Sequence, residues 1–423
     1  MRWLGALEGY YGPPLTHEAR LALMDWLAPR GANVFAYAPK DDPKHRAKWR
    51  EPYDASEMHR FAELVAKGKA TGVAFCYTIT PGLDWTDGDH EALIAKLKAF
   101  ADIDCEAIGV LWDDIRPGGA ELGESHARGT AAVAAAFPDI RWWTVTTDYA
   151  VTRPTAYLEG FCKALPIDID VAWTGPSVIP LCVDTKEARG LADALGRPLL
   201  FWENFPVNDG GMRGCLHLGP YPERARELVE TSSGVLINAM AQPLASRVGL
   251  ACALRYWTDP SSDREGVWRE AVADVPGLAQ LARACRSWVD APGPSEELVA
   301  MADAAPGDKA LREYLEAGCR KDLGDDWLAE LEPWLDAWDN EAQTMLLCLD
   351  ILEKGHRSAG RGLTAAEMWT RARTRREQTF GIRAAGYPIT EYDGTRVLAR
   401  REAAVHGDNL TDLLARRALR EES

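Results

Sequence analysis

Residues 107–114 read "AIGVLWDD": a short apolar run that ends in two adjacent aspartates. A run of this length and composition reads as a buried strand. Its end poses the question, because neighbouring carboxylates raise each other's cost of ionisation. Either the pair is solvated in a turn, or the protein uses that cost.

The same design recurs along the chain. β-rich runs occupy 3–9, 33–40, 72–80, 107–114, 139–148, 169–175, 198–205 and 234–240, and helix-like segments lie at 17–29, 56–70, 89–101, 124–136, 184–195 and 222–231. Eight β-then-α units within about 260 residues predict an α/β fold, a (β/α)8 TIM barrel over 1–262. A doubly wound open sheet fits less well, since no glycine-rich phosphate turn follows the first strand. Most strands turn polar at their C-terminal ends: Glu8, Lys40, Thr80, Asp113, Thr147, Thr174, Glu203 and Asn238. In a closed barrel these ends converge on one mouth, where barrel active sites are built.

The β pattern stops after "RYWTDPSSD" (255–263). A helical bundle domain is expected over 263–384, with breaks at 290–295 and 305–309. Within it Trp327, Leu331, Trp334 and Trp338 share one apolar helical face, and Pro333 predicts a kink or a helix start. The basic run "RARTRREQ" (371–378) reads as a solvated helix face. The tail, 385–423, either packs on the bundle, exchanges between subunits or stays loose.

The 48 basic and 64 acidic residues leave a formal charge of −16. Such a surface repels phosphate backbones, so no nucleic-acid partner is expected, and a neutral substrate suits it better. No stretch approaches the roughly 20 apolar residues that span a bilayer, so no membrane partner is expected either. The N-terminus has no apolar core with a small-residue cleavage site and reads as the first strand. Nine cysteines form no CxxC pair; Cys76 and Cys348 lie in apolar patterns as buried thiols. A reduced, cytoplasmic protein is the expectation. The eight histidines form no HExxH or His/Cys cluster, so neither metal nor cofactor is expected.

Six motifs follow one another at successive strand ends: "LEGYYGPPLTHEAR", "YAPKDDPKHRAKWREPY", "LWDDI", "WTGPSV", "WENFPVND" and "LHLGPY". Together they resemble glycoside hydrolase family 84, the β-N-acetylglucosaminidases, over roughly residues 1–260. The resemblance implies substrate-assisted hydrolysis, in which the sugar's own 2-acetamido oxygen attacks and an oxazoline forms. This departs from the usual scheme with an enzymic carboxylate nucleophile. Two carboxylate tasks follow, and adjacent aspartates whose titrations are pushed apart suit them. By position in the motif, Asp113 stays ionised and orients the acetamide, while Asp114 begins protonated and serves as general acid and then base.

The remaining matches imply contacts rather than chemistry. Gly9 lets the backbone approach the sugar, since no Cβ blocks it. Lys40 hydrogen-bonds the sugar, pairs with Asp41, Asp42 or a catalytic aspartate, or does both. Tyr149 bonds the acetamido carbonyl; Thr146 stands nearby where relatives often carry proline. Thr174 and Val178 line the acetamido pocket and the aglycone side, or simply pack. Trp202 walls the acetamido methyl, and Asn204 bonds near the acid and the acetamide. Asp209 holds the 4- and 6-hydroxyls, and Asn238 binds the same edge, although Ala239 replaces the proline that usually follows.

The implied activity is that of a retaining exo-β-N-acetylglucosaminidase acting on O-linked GlcNAc of Ser/Thr or on small glycosides. The alternatives are β-hexosaminidase- or hyaluronidase-like action on glycans, or a GlcNAc-binding module without catalysis. The C-terminal helices are a candidate homodimer element.

Overall fold

The computed structural model describes residues 2–286, 295–354, 389–392, 397–399 and 410–419. The chain forms two compact units, one of residues 1–209, 221–243 and 250–263, the other of 210–220, 244–249 and 264–423.

In the first unit, eight parallel strands close into a barrel: β1 (Trp3–Glu8), β2 (Val34–Tyr37), β3 (Ala74–Ile79), β4 (Ala107–Leu111), β5 (Arg141–Val145), β6 (Asp170–Trp173), β7 (Leu199–Glu203) and β8 (Ser232–Asn238). β8 pairs back onto β1, with Leu7 opposite Asn238. Helices α1 (His17–Leu27), α2 (Ala55–Thr71), α3 (His90–Ala101), α4 (Ala120–Ala136), α5 (Ala156–Ala164), α6 (Thr185–Leu195), α7 (Leu228–Thr231) and α8 (Pro243–Thr258) follow the strands in turn. Local signals set their ends. Asp54 and Glu57 form a reciprocal capping box at the start of α2, and Gly72 ends it in the left-handed conformation.

Alternation along the strands sorts the side chains. Leu7, Val34, Ala36, Ala38, Leu111, Val145, Ala172, Leu200, Trp202 and Leu236 share one buried core. The residues between them turn toward the helices, and this corrects the expectation for two of the polar strand ends. Glu8 follows inward-facing Leu7 and is gripped by Arg20 of α1 at 2.7 and 2.9 Å. Glu203 follows Trp202 and is gripped by Arg224 at 2.8 and 2.9 Å. Neither lines the mouth.

The Glu203 pair also explains why 222–231 is not the helix its composition predicts. Arg224 is drawn inward and bridges Val183, so only the four residues of α7 coil.

The described residues of the second unit are mainly helical: α9 (Arg264–Ala273), α10 (Leu278–Ala284), α11 (Glu296–Ala304), α12 (Ala310–Ala317), α13 (Asp325–Lys354) and α14 (Leu410–Leu419). Leu331, Trp334 and Trp338 are buried on α13, as their spacing predicts, with Trp327 half-buried. Helix α13 runs through Pro333 rather than starting there. Its Glu330 accepts from the backbone N–H groups of Leu244 and Ala245, at 3.0 and 2.8 Å, supplying acceptors to a helix start.

Part of the tail is also placed. A short antiparallel pair joins β9 (Ile389–Tyr392) and β10 (Val397–Ala399), and α14 packs on α13, where Thr411 Oγ1 donates to Glu341 at 2.7 Å. The basic run 371–378 and the break at 290–294 lie outside the described residues. None of the nine cysteines forms a disulfide, and Cys76 and Cys348 are among the buried ones. No helix among the described residues is long and apolar enough to cross a membrane, and no group of three His, Cys, Asp or Glu among them is arranged to hold a metal ion.

Candidate active site

At the C-terminal mouth of the barrel lies an open cavity, and all eleven residues singled out from the sequence line it.

Its floor is aromatic. Trp202 is 4% exposed and meets Trp143 edge-on, with ring centroids 6.0 Å apart. Gly9 lies against it: a Cβ there would stand 2.8 Å from Trp202 Cζ2, closer than atoms can pack. Gly9 N–H donates to Asn238 Oδ1 at 2.9 Å, which ties the end of β1 to the end of β8.

The two aspartates point to different partners. Asp113 forms a buried ion pair with Lys40; their side chains are 6% and 2% exposed. Lys40 also sits over the Trp202 ring, 5.6 Å from its centroid. The second Asp113 oxygen, Oδ1, is buried and has no hydrogen-bond partner among the described residues. Buried polar atoms are normally satisfied, so this oxygen is an open acceptor for an N–H group in the cavity.

Asp114 adopts a positive φ of 52°. Its Oδ1 accepts from Tyr149 Oη at 2.7 Å and its Oδ2 from Tyr11 Oη at 2.8 Å. Burial and the facing carboxylate raise both phenols well above their ordinary value, so they remain donors. For Asp114 itself, burial pushes the pKa up, but Tyr149, Lys40, Tyr11 and Arg46 outweigh that effect and leave it below its ordinary value. The resemblance implied that the adjacent carboxylate would push this value up; the direction here is the opposite. Its neighbours' donors and cations, not the adjacent like charge, set the direction.

The other side chains form the wall. Asn204 Oδ1 accepts from Trp202 Nε1 at 2.8 Å and from Asn238 Nδ2 at 2.9 Å, while Asn204 Nδ2 donates to the Val178 carbonyl at 2.8 Å. Both amides therefore knit the ends of β7, β8 and the loop after β6. Thr174 Oγ1 donates to the Ser177 carbonyl at 2.9 Å, and Val178 stands 46% exposed at the rim. Asp209 Oδ2 accepts from Tyr11 N–H at 2.9 Å, and burial raises its pKa. Thr146 is fully buried, its hydroxyl without a partner among the described residues.

Sequence reasoning passed over Tyr11, Val145, Ile179 and Val207, which also line the cavity. For Tyr11 a signal existed: it lies in the quoted "EGYYG", two residues after Gly9.

A (β/α)8 barrel whose mouth presents two adjacent aspartates to a cavity lined by aromatic, amide and carboxylate side chains has the architecture of a glycoside hydrolase. The family model described as beta-N-acetylglucosaminidase matches residues 4–290, and the chain belongs to that family, glycoside hydrolase family 84. It is 29% identical over 290 residues to protein O-GlcNAcase of Rattus norvegicus, and equally to that of Mus musculus, in each case over 63% of this chain. The match spans 31% of the length of those curated relatives. A mutant of Thermobaculum terrenum O-GlcNAc hydrolase superimposes with a TM-score of 0.76 at 26% identity, covering 88% of each chain.

Proposed function

We propose that this chain is a retaining exo-β-N-acetylglucosaminidase of the O-GlcNAcase type. It removes one terminal β-linked GlcNAc, from Ser/Thr or from small glycosides, through an oxazoline intermediate. The observation that carries this reading is the division of labour between neighbouring carboxylates. Asp113 is anchored by Lys40 with one buried oxygen still open, and Asp114 is held between two phenols at the same cavity.

In this scheme the acetamido N–H donates to Asp113 Oδ1, which turns the acetamido oxygen toward the anomeric carbon. As that oxygen attacks, positive charge builds on the acetamido group and the ionised Asp113 stabilises it. Asp114 delivers its proton to the departing glycosidic oxygen and then takes one from the water that opens the oxazoline. Substrate entry transfers Tyr149 from Asp114 to the acetamido carbonyl. Losing that donor lets the Asp114 pKa rise toward the value a proton donor needs. Trp202 packs on the acetamido methyl, and Asp209 grips the 4- and 6-hydroxyls, so an inverted 4-hydroxyl leaves it poorly matched.

The test is a series of substrates with successively fluorinated N-acyl groups. A nucleophilic carbonyl predicts a steep fall in turnover with each fluorine. A flat response would assign the attack to an enzymic group instead.

A further inference from the structure

The motif "KHRAKWRE" contributes more than Lys40's neighbourhood. Arg46, in the loop after β2, is 8% exposed, and its Nη2 donates to the backbone carbonyl of Asp114 at 3.0 Å. Its guanidinium carbon lies 5.7 Å from the Tyr11 ring centroid. Tyr11 in turn donates to the Asp114 carboxylate, so Arg46 supports that carboxylate from both its backbone and its phenol partner.

The support matters because Asp114 adopts a conformation that side-chain-bearing residues rarely choose. A residue in the left-handed region persists only where its surroundings over-determine it. The loop carrying Arg46 is well placed to do this. Thr80 N–H donates to the His45 carbonyl at 2.9 Å, and His45 Nε2 lies 2.8 Å from Thr78 Oγ1, which fastens the loop to the end of β3. β3 is the barrel neighbour of β4, from which Asp114 follows.

We infer that Arg46 is a positioning residue: it locks the Asp114 backbone in its left-handed turn and holds Tyr11 in place, so that the carboxyl meets the leaving oxygen. This rests on the reading of Asp114 as proton donor. An acid matters most when the leaving group is poor, so its misplacement has a signature that general loss of folding lacks.

The experiment compares an alkyl β-GlcNAc glycoside with an activated nitrophenyl one, using wild type, Arg46→Met, Arg46→Lys and Asp114→Asn, with thermal unfolding measured alongside. Arg46→Met is expected to lose about tenfold or more in kcat/KM on the alkyl glycoside beyond its loss on the aryl one, a fraction of what general acid catalysis contributes. Arg46→Lys, which keeps one donor, is expected to recover part of that difference. Equal losses on both substrates, or none, would overturn the positioning role. Should Arg46→Met not fold, the same comparison on Arg46→Lys decides. If Asp114→Asn itself shows no leaving-group dependence, the acid assignment fails; if it does and the Arg46 variants do not, only this inference fails.

Discussion

Lys40 pairs with Asp113 at the cavity floor, seventy-three residues away, and not with the acids that follow it in sequence. Asp42 is engaged by the hydroxyls of Tyr37 and Tyr53 at 2.7 and 2.6 Å. In the proposed scheme the lysine thus sits against the carboxylate that orients the acetamide, where water has little access. Removing one member of a buried pair strands the other, at a cost on the order of 3–5 kcal/mol. Lys40→Met is thus expected to lower stability by about that amount and to abolish turnover. The double variant Lys40→Met/Asp113→Asn should regain most of the stability in urea unfolding while staying inactive. A double variant no more stable than Lys40→Met would deny the pairing its energetic role.

Asp114→Asn keeps the size of the side chain and removes its proton chemistry. Turnover of alkyl β-GlcNAc glycosides should fall by about 10²–10⁴-fold, while activated aryl glycosides lose much less. A uniform loss across leaving groups would place the proton donor elsewhere.

Tyr11→Phe removes one of the donors that hold the Asp114 carboxyl below its ordinary value. The carboxyl then keeps its proton to higher pH. Because the protonated form is the acid, the alkaline limb of the kcat/KM profile should move upward. A limb that stays or moves down contradicts the account.

His126 of α4 stacks on Trp112 at 4.1 Å, next to Asp113 in sequence, with Nδ1 2.8 Å from the Tyr157 hydroxyl. Burial pushes its pKa down to about 4. The unfolded chain binds this proton near pH 6.5 and the native one does not, so stability falls as pH drops from about 6.5 to about 4. This one group predicts a loss of roughly 2 kcal/mol between pH 7 and pH 5. His45, also buried and lowered, acts in the same direction. Urea unfolding of His126→Gln at the two pH values should show a shallower decline; an unchanged slope would contradict the assignment.

The barrel was legible because each buried strand is a short apolar run with its own polar end, a pattern that needs no tertiary information. Most of the site was legible for a related reason: its residues cluster in contiguous motifs at those ends. What misled was parity. Counting in twos from Leu7 or Trp202 excludes Glu8 and Glu203 from the mouth, and counting from Leu111 or Ala38 admits Asp113 and Lys40. Segment 222–231 failed for another reason. Its helical composition was overridden by a long-range bond between Arg224 and Glu203, which no local window contains. The direction of the Asp114 shift was hidden likewise, since Tyr11, Lys40, Arg46 and Tyr149 come from three other loops.

The most direct test of the central claim is hydrolysis of an aryl β-GlcNAc glycoside beside its GalNAc epimer, by wild type and by Asp113→Asn. The account predicts fast cleavage of the GlcNAc compound, slow cleavage of the epimer, and a loss of at least about a hundredfold in the variant. Absence of cleavage by a well-folded wild-type chain, or an Asp113→Asn variant that keeps its rate, would contradict it.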